Sequence, residues 1–197
     1  MRMRWHLVAA VAAGLLGVLA FAPASAAARP EAAATKLHPF TITSPDFRDG
    51  GRLPDSAASN IAAAACRGQN QAPELQWTNE PATTKGFAFT INDPDAPVAG
   101  GFHHWVVYNI PASVHELEGH GQNPFSEGTT SFGTTGYGGP CPPPTGQHHH
   151  YIFTVYALNV AQVNGDRLTF DQLLQAIAPN VVGATTIVGI FSLPLGT

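Results

Sequence analysis

Residues 103–110 carry apolar side chains on both faces of a predicted strand, and this segment restricts the fold more than any other. It reads His-His-Trp-Val-Val-Tyr-Asn-Ile and is followed by Pro111. A strand that is apolar on both faces is normally buried in the middle of a domain. The sequence therefore predicts a domain built around this strand.

Three other segments also have strand patterns. Over 87–92, Phe and Ile alternate with Ala, Thr and Asn, and the prolines of the turn at 93–97 end the pattern. Residues 151–158 and 185–193 are the other two predicted strands. Charged residues make up only 11% of the chain, which also holds 20 Gly and 17 Pro, and this composition argues against a helical bundle.

One helix is predicted near the end of the chain. Apolar residues recur at helical spacing over 168–178, after a cap at Thr169 or Asp166 and before Pro179. Residues 119–147 are predicted to be a long loop, which usually indicates function or disorder. This order of elements predicts a mostly β fold, either a β-sandwich or a distorted barrel.

The start of the chain resembles a secretory signal peptide. Arg2 and Arg4 precede an apolar run at 7–22, and the small residues Ala-Ser-Ala follow at 24–26. The alternative is a membrane anchor, because the run approaches the roughly 17 to 25 residues that a spanning helix needs. The adjacent cleavage signal favours export, to the periplasm or the medium.

The predicted organisation is a signal peptide at 1–26, a leader at 27–36 and one domain at 37–197. No transmembrane segment is expected in the mature chain, which keeps seven Lys and Arg residues against 13 Asp and Glu residues. An acidic chain without a basic cluster argues against nucleic acid and against electrostatic docking on an anionic membrane.

The chain has two cysteines, Cys66 and Cys141. In an exported protein an even pair is first interpreted as a disulfide. A bridge across this separation would contribute about 4 kcal/mol in the chain-entropy account. Two free buried thiols are the alternative.

Alternation along the strand at 103–110 assigns its two histidines, His103 and His104, to opposite faces. His104 is predicted to share a face with Val106, and His103 is predicted to share the other face with Trp105. A strand histidine is more often a hydrogen-bonded core residue than a ligand-binding one, so this pattern alone is a weak signal.

The same rule separates the three consecutive histidines at 148–150. His149 is predicted to share a face with Tyr151, whereas His148 and His150 point to the other face. A site here therefore uses His149 alone, or His148 together with His150.

Three polar segments together predict a pocket. They are the acidic turn at 93–97, the histidines that begin two strands, and the Gly-Pro-rich loop at 136–143. Imidazoles and backbone N–H groups can bind an anion, and a carboxylate can fix a histidine tautomer.

These segments resemble the signatures of the phosphatidylethanolamine-binding proteins, also called Raf kinase inhibitor proteins. The first comprises Asp-Pro-Asp-Ala-Pro at 93–97, His-Trp-Val-Val at 104–107 and Asn109; the second comprises Gly-Tyr-Gly-Gly-Pro-Cys-Pro-Pro at 136–143, His149 and Tyr151. In the bacterial branch, Cys66, Asn70, Pro73, Leu75 and Trp77 also match an expected segment. The resemblance extends over about 40–193.

The resemblance implies an antiparallel β-sandwich with a few short peripheral helices and a small anion pocket. Carried over residue by residue, the pocket comprises Asp93, His104, Gly139, Pro140, His149 and Tyr151. In this interpretation the two histidines face the anion, Asp93 orients an imidazole, and Gly139 lets the backbone approach closely.

Two features depart from the family pattern. His150 stands where the family usually has Arg, so an ion pair made by that Arg would be missing or would become pH-dependent. The segment at 144–148 is also slightly longer than usual, which affects the rim of the pocket.

The resemblance implies a non-catalytic binding protein that needs no cofactor. Its ligand would be a phosphate-like anion or a phospholipid head group, and kinase and protease inhibition are family activities; for an exported chain, a protease is the better-fitting protein partner. One alternative is an interaction protein with a vestigial pocket that acts through the loop at 119–135. Another is a metal-dependent hydrolase with Asp93, His104 and His149 as ligands.

Overall fold

A computed structural model describes residues 38–61, 66–117 and 124–195. The predicted signal peptide and the leader lie outside these residues. Within them, no helix has the length and apolar character needed to cross a membrane.

The described residues form nine strands in two sheets. They are β1 (Thr41–Thr43), β2 (Gly51–Arg52), β3 (Leu75–Thr78), β4 (Gly86–Asp93), β5 (Phe102–Pro111), β6 (Glu116–Leu117), β7 (Ser126–Glu127), β8 (His149–Leu158) and β9 (Val181–Phe191). The small sheet has the order β1-β3-β6, and the large sheet has the order β2-β9-β8-β4-β5-β7. Neighbours are antiparallel except for the short β2–β9 pair.

The main core lies between the two sheets. Phe87, Phe89 and Ile91 on one face of β4 belong to one buried cluster with Leu75 and Trp77 of β3. The edge strands of the large sheet, β2 and β7, do not pair with each other, so the sheet stays open. The predicted mostly β sandwich is therefore confirmed, and the barrel alternative is not.

A second apolar layer covers the other face of the large sheet. The helix α1 (Phe170–Ile177) buries Leu173 and Ile177 against Val106 and Tyr108 of β5. Its N-cap is Thr169, which forms a capping box with Gln172. Since α1 covers one face of the central strands and the small sheet covers the other, both faces of β5 are buried, as its composition predicted.

A β-bulge interrupts the pairing of β4 with β5. Ile91 pairs with Trp105, but the next residue, Asn92, pairs with His103, so His104 has no partner on β4. A bulge places two residues opposite one and redirects the side chains beyond it. The prediction from strict alternation was therefore wrong for His103 and His104.

The bulge exchanges the environments of the two histidines. His103 stacks on Phe170 of α1, with ring centroids 3.9 Å apart. His104 points to the opposite side of the sheet, where its ring meets Tyr151 of β8 edge to face at 5.1 Å. The irregularity thus turns His104 away from the helix and towards the end of β8.

Candidate functional site

Four of the six predicted site residues line one cavity at an end of the large sheet. Its volume is about 150 Å³. The polar lining residues are Asp93, His104, His149 and Tyr151; the remainder are Ala96, Pro97, Phe102, Phe132, Cys141, Pro142 and Pro143. A small cavity with a few convergent polar groups on apolar walls is the usual form of a ligand site.

Asp93 and His149 form a buried pair on one side of the cavity. Nδ1 of His149 lies 2.8 Å from Oδ2 of Asp93, and both side chains are almost fully buried. The other carboxylate oxygen accepts the backbone N–H of Asp95 at 2.9 Å. Because an ionised carboxylate only accepts hydrogen bonds, Nδ1 of His149 carries the proton.

His104 is held from behind by the loop at 136–143. Nδ1 of His104 lies 2.6 Å from the carbonyl oxygen of Gly138. In return, the backbone N–H of Gly138 donates to the carbonyl oxygen of His104 at 2.9 Å. Burial lowers the pKa of His104 to about 4, although this hydrogen bond and the charge of Asp93 act in the opposite direction. His104 is therefore neutral at physiological pH.

Tyr151 adds a phenol to the cavity beside the ring of His104. Burial, together with the negative charge of Asp93, raises the pKa of this hydroxyl above its usual value. The phenol therefore keeps its proton, and no anionic oxygen of Tyr151 opposes an incoming anion.

The other two predicted residues, Gly139 and Pro140, do not line the cavity. The N–H of Gly139 donates to Oδ1 of Asn70 at 2.7 Å, and the carbonyl oxygen of Pro140 accepts the N–H of Ser59 at 3.0 Å. A Cβ at Gly139 would lie 2.3 Å from the carbonyl oxygen of Ala57. The close approach that requires glycine here is thus to the protein's own backbone, behind the cavity wall.

The loop at 136–143 is also fixed covalently. Cys66 and Cys141 form a disulfide with a Cα–Cα distance of 5.6 Å, which confirms the predicted bridge and excludes the two free thiols. Asn70 donates to the carbonyl oxygen of Tyr137 at 3.0 Å, close to the same bridge. Because Cys141 is itself a lining residue, the bridge anchors the cavity wall directly.

His150 takes the place of the usual arginine and still binds an acid. Its Nδ1 lies 2.7 Å from Oδ2 of Asp95, which also accepts the N–H of His150 at 2.8 Å. The hydrogen bond from the His150 side chain lowers the pKa of Asp95 despite partial desolvation. A hydrogen-bonded histidine–carboxylate pair is thus present at this position, and it is an ion pair only when His150 is protonated.

Sequence analysis missed two lining residues, Phe102 and Phe132. Their rings lie 4.7 Å apart edge to face, and both contact the ring of His104. Phe102 begins β5, one residue before the predicted strand. Phe132 lies in the predicted long loop, whose described part has the short strand β7 paired to β5, and no periodicity there identifies a lining residue.

The fold and the cavity together define a β-sandwich domain with a histidine–carboxylate site. Residues 43–192 match the phosphatidylethanolamine-binding protein family. This match covers well over half of the chain, and the chain therefore belongs to that family. Membership is consistent with a non-catalytic binding protein.

Several relatives come from bacteria. The chain is 42% identical over 132 residues to the UPF0098 protein YbhB of Escherichia coli, a match covering 64% of this chain and 82% of YbhB. It is 38% identical over 159 residues to LppC of Mycobacterium tuberculosis, named as a candidate lipoprotein, covering 80% and 75%. The crystal structure of E. coli YbcL, described as a new member of the mammalian PEBP family, matches with a TM-score of 0.74 and 32% identity, covering 79% and 99%.

Proposed function

We propose that this protein is a non-catalytic binding protein whose cavity takes the phosphate-like group of a small ligand or a phospholipid head group. The observation that carries the proposal is the convergence of Asp93, His104, His149 and Tyr151 on one cavity of about 150 Å³. The family's description as phosphatidylethanolamine-binding supports the same class of ligand.

The geometry favours an anion over a metal ion. Within the described residues, no group of three or more His, Cys, Asp or Glu side chains could hold a metal. The arrangement therefore supports binding rather than metal-dependent hydrolysis.

The protein is proposed to act outside the cytoplasm. The basic start and the apolar run at 7–22 support export, as does the disulfide Cys66–Cys141, because disulfides persist in oxidising compartments. The name of the relative LppC points in the same direction. In that location a protease is a better-fitting protein partner than a cytosolic kinase.

Contact with a protein through the loops around the cavity is a second candidate function. Val98 follows the lining residue Pro97 and is 53% exposed, and the lining residue Phe132 is 37% exposed. Large apolar side chains that are exposed together beside a cavity can mark a protein contact site. Such contact and ligand binding could both contribute to protease inhibition.

Thermal unfolding with added anions tests the proposal. The mature protein is titrated with phosphate, phosphorylethanolamine and cacodylate, beside His104→Ala and the control His115→Ala, whose histidine pairs with Glu80 outside the cavity. A ligand at about one hundred times its Kd should stabilise the wild type and the control by about 2.7 kcal/mol. Equal shifts in His104→Ala, or no shift with any anion, would contradict the proposal.

A further inference from the structure

The hydrogen bond to Gly138 fixes which nitrogen of His104 carries a proton. The partner of Nδ1 is a backbone carbonyl oxygen at 2.6 Å, and a carbonyl oxygen can only accept. Nδ1 therefore donates. In the neutral ring the second nitrogen, Nε2, then carries a lone pair and is a hydrogen-bond acceptor.

The free nitrogen of His104 belongs to the cavity. Among the described residues Nε2 has no hydrogen-bond partner. It is also absent from the unpaired side-chain atoms that are fully buried, so it remains accessible. His104 lines the cavity, with the rings of Phe102, Phe132 and Tyr151 around it. A ligand in the cavity therefore meets an acceptor at this position.

The side chains around His104 do not supply a cation that could bind the anion instead. Among the described residues, no Lys or Arg lines the cavity. The titratable groups that act on His104 are Asp93 from β4, the neighbouring His103 from β5, and His149 from β8. The phenol of Tyr151, also on β8, faces its ring. The hydrogen bond to Gly138 and the carboxylate of Asp93 favour a proton on His104, and burial outweighs both.

From this geometry we infer that His104 selects ligands that bring a proton, so that the cavity prefers a singly protonated phosphate monoester to a phosphodiester. The P–OH of the monoester donates to Nε2, while its anionic oxygens occupy the rest of the cavity. A phosphodiester, which is the linkage in an intact phospholipid, has no such hydrogen. Of the two ligand sources in the proposed function, the inference therefore favours the small monoester over the intact lipid. The inference rests on the proposed anion site and names the class of ligand that it takes.

The two ways of supplying the proton differ in cost. A phosphate monoester has a second pKa of about 6, so at pH 7 roughly one molecule in ten carries the needed proton. Because the pKa of His104 is about 4, only about one protein molecule in a thousand has a protonated His104 at pH 7. The monoester is therefore favoured by up to about a hundredfold at this contact.

A matched pair of ligands isolates the second ester bond. Phosphorylethanolamine is a monoester and glycerophosphorylethanolamine is a diester, and both carry the same amine. Titration calorimetry at pH 7 is expected to give binding of the monoester that is at least about tenfold tighter. This value is set below the maximum of about a hundredfold for the contact with His104. Inorganic phosphate, which has no ester bond, tests whether the protonated phosphate alone is sufficient. Its dianion still carries a P–OH, so it is expected to bind at pH 8 without the proton uptake of the monoester.

The proton itself can be counted. At pH 8 the monoester is mostly a dianion, so its complex should take up about one proton, and affinity should fall about tenfold per pH unit above the ligand's pKa. Calorimetry in HEPES and in Tris measures this uptake from their different heats of ionisation. His104→Gln places an amide that both donates and accepts near the position of Nε2, and it should lose the uptake and the preference for the monoester.

The outcomes separate the two proposals. Absence of binding by all three anions at every pH defeats the proposed anion site and this inference with it. Binding of monoester and diester with equal affinity, or with no proton uptake at pH 8, leaves the anion site standing and overturns the inference. The wild-type measurements decide this whether or not His104→Gln folds.

Discussion

Two adjacent residues of β8 make nearly the same contact in opposite surroundings. His149 binds Asp93 at 2.8 Å, and His150 binds Asp95 at 2.7 Å. The side chains of the first pair are 6% and 4% exposed, whereas those of the second are 49% and 41% exposed. Distance is nearly constant in this comparison, so differences between the pairs report the effect of burial.

The comparison teaches that burial, rather than the presence of an ion pair, defines the site. In water the two partners of an exposed pair are solvated when apart, so their contact contributes little. Inside the protein, a partner left alone stays desolvated and unpaired. The inner pair can therefore hold one histidine tautomer in the cavity, while the outer pair is expected to hold the rim only weakly.

The largest expected effect comes from breaking the inner pair. Asp93→Ala leaves Nδ1 of His149 and the backbone N–H of Asp95 without their acceptor. The free energy of unfolding should fall by about 3 to 5 kcal/mol, as for other broken buried pairs. Urea unfolding at pH 7 measures it, and a loss below about 1 kcal/mol would mean that burial does not distinguish the pairs.

The next largest effect is a pH dependence of stability that comes from the buried His104. The pKa of His104 is about 4 in the folded protein and 6.5 in the unfolded chain. Between these values the unfolded chain binds more protons, so stability is full above about pH 6.5 and falls as the pH drops towards 4. The shift corresponds to about 3 kcal/mol.

Comparison with His104→Gln isolates this dependence, because His103, whose pKa is also lowered by burial, remains in both proteins. The free energy of unfolding is measured by urea at intervals from pH 4 to pH 7. The wild type should lose about 3 kcal/mol more than the variant over this range. Parallel curves would show that His104 titrates normally in the folded state.

The sequence predicted β8 and its histidines correctly because pairing is regular there. His149 and Tyr151 follow simple alternation along the part of β8 that pairs with β9 without a shift. Periodicity likewise located β4, β5 and α1 to within a few residues. These elements depend on local patterns, which a single sequence contains.

The orientation of His104 could not be predicted from its own strand. The bulge arises from the pairing between β4 and β5, whereas simple alternation assumes that every residue of a strand has one partner. The role of Gly139 was inaccessible for a similar reason, since it depends on Asn70, 69 positions away. The polar segments had already predicted a pocket, and the family resemblance then named His104 and His149 as its residues.

Breaking the outer pair should have a small effect. Asp95→Ala removes an exposed acceptor of His150, and the expected loss of stability at pH 7 is below about 1 kcal/mol. Because His150 lowers the pKa of Asp95, the contribution is present above pH 3.8 and disappears as the pH falls through the folded-state pKa. Urea unfolding of Asp95→Ala and Asp93→Ala measures the loss of stability in each variant. Equal losses would refute the role assigned to burial.

The smallest effect is expected when the outer histidine is changed to the residue that the family usually has. His150→Arg keeps a donor beside Asp95 but carries a permanent charge, since guanidinium does not titrate in this range. An exposed pair gains little from that charge, so stability at pH 8 should rise by no more than about 0.5 kcal/mol, and less at high salt. Phosphorylethanolamine affinity should stay unchanged, because His150 does not line the cavity. A tenfold change in that affinity would show that the rim pair controls the pocket, and that the two pairs act as one unit despite their different burial.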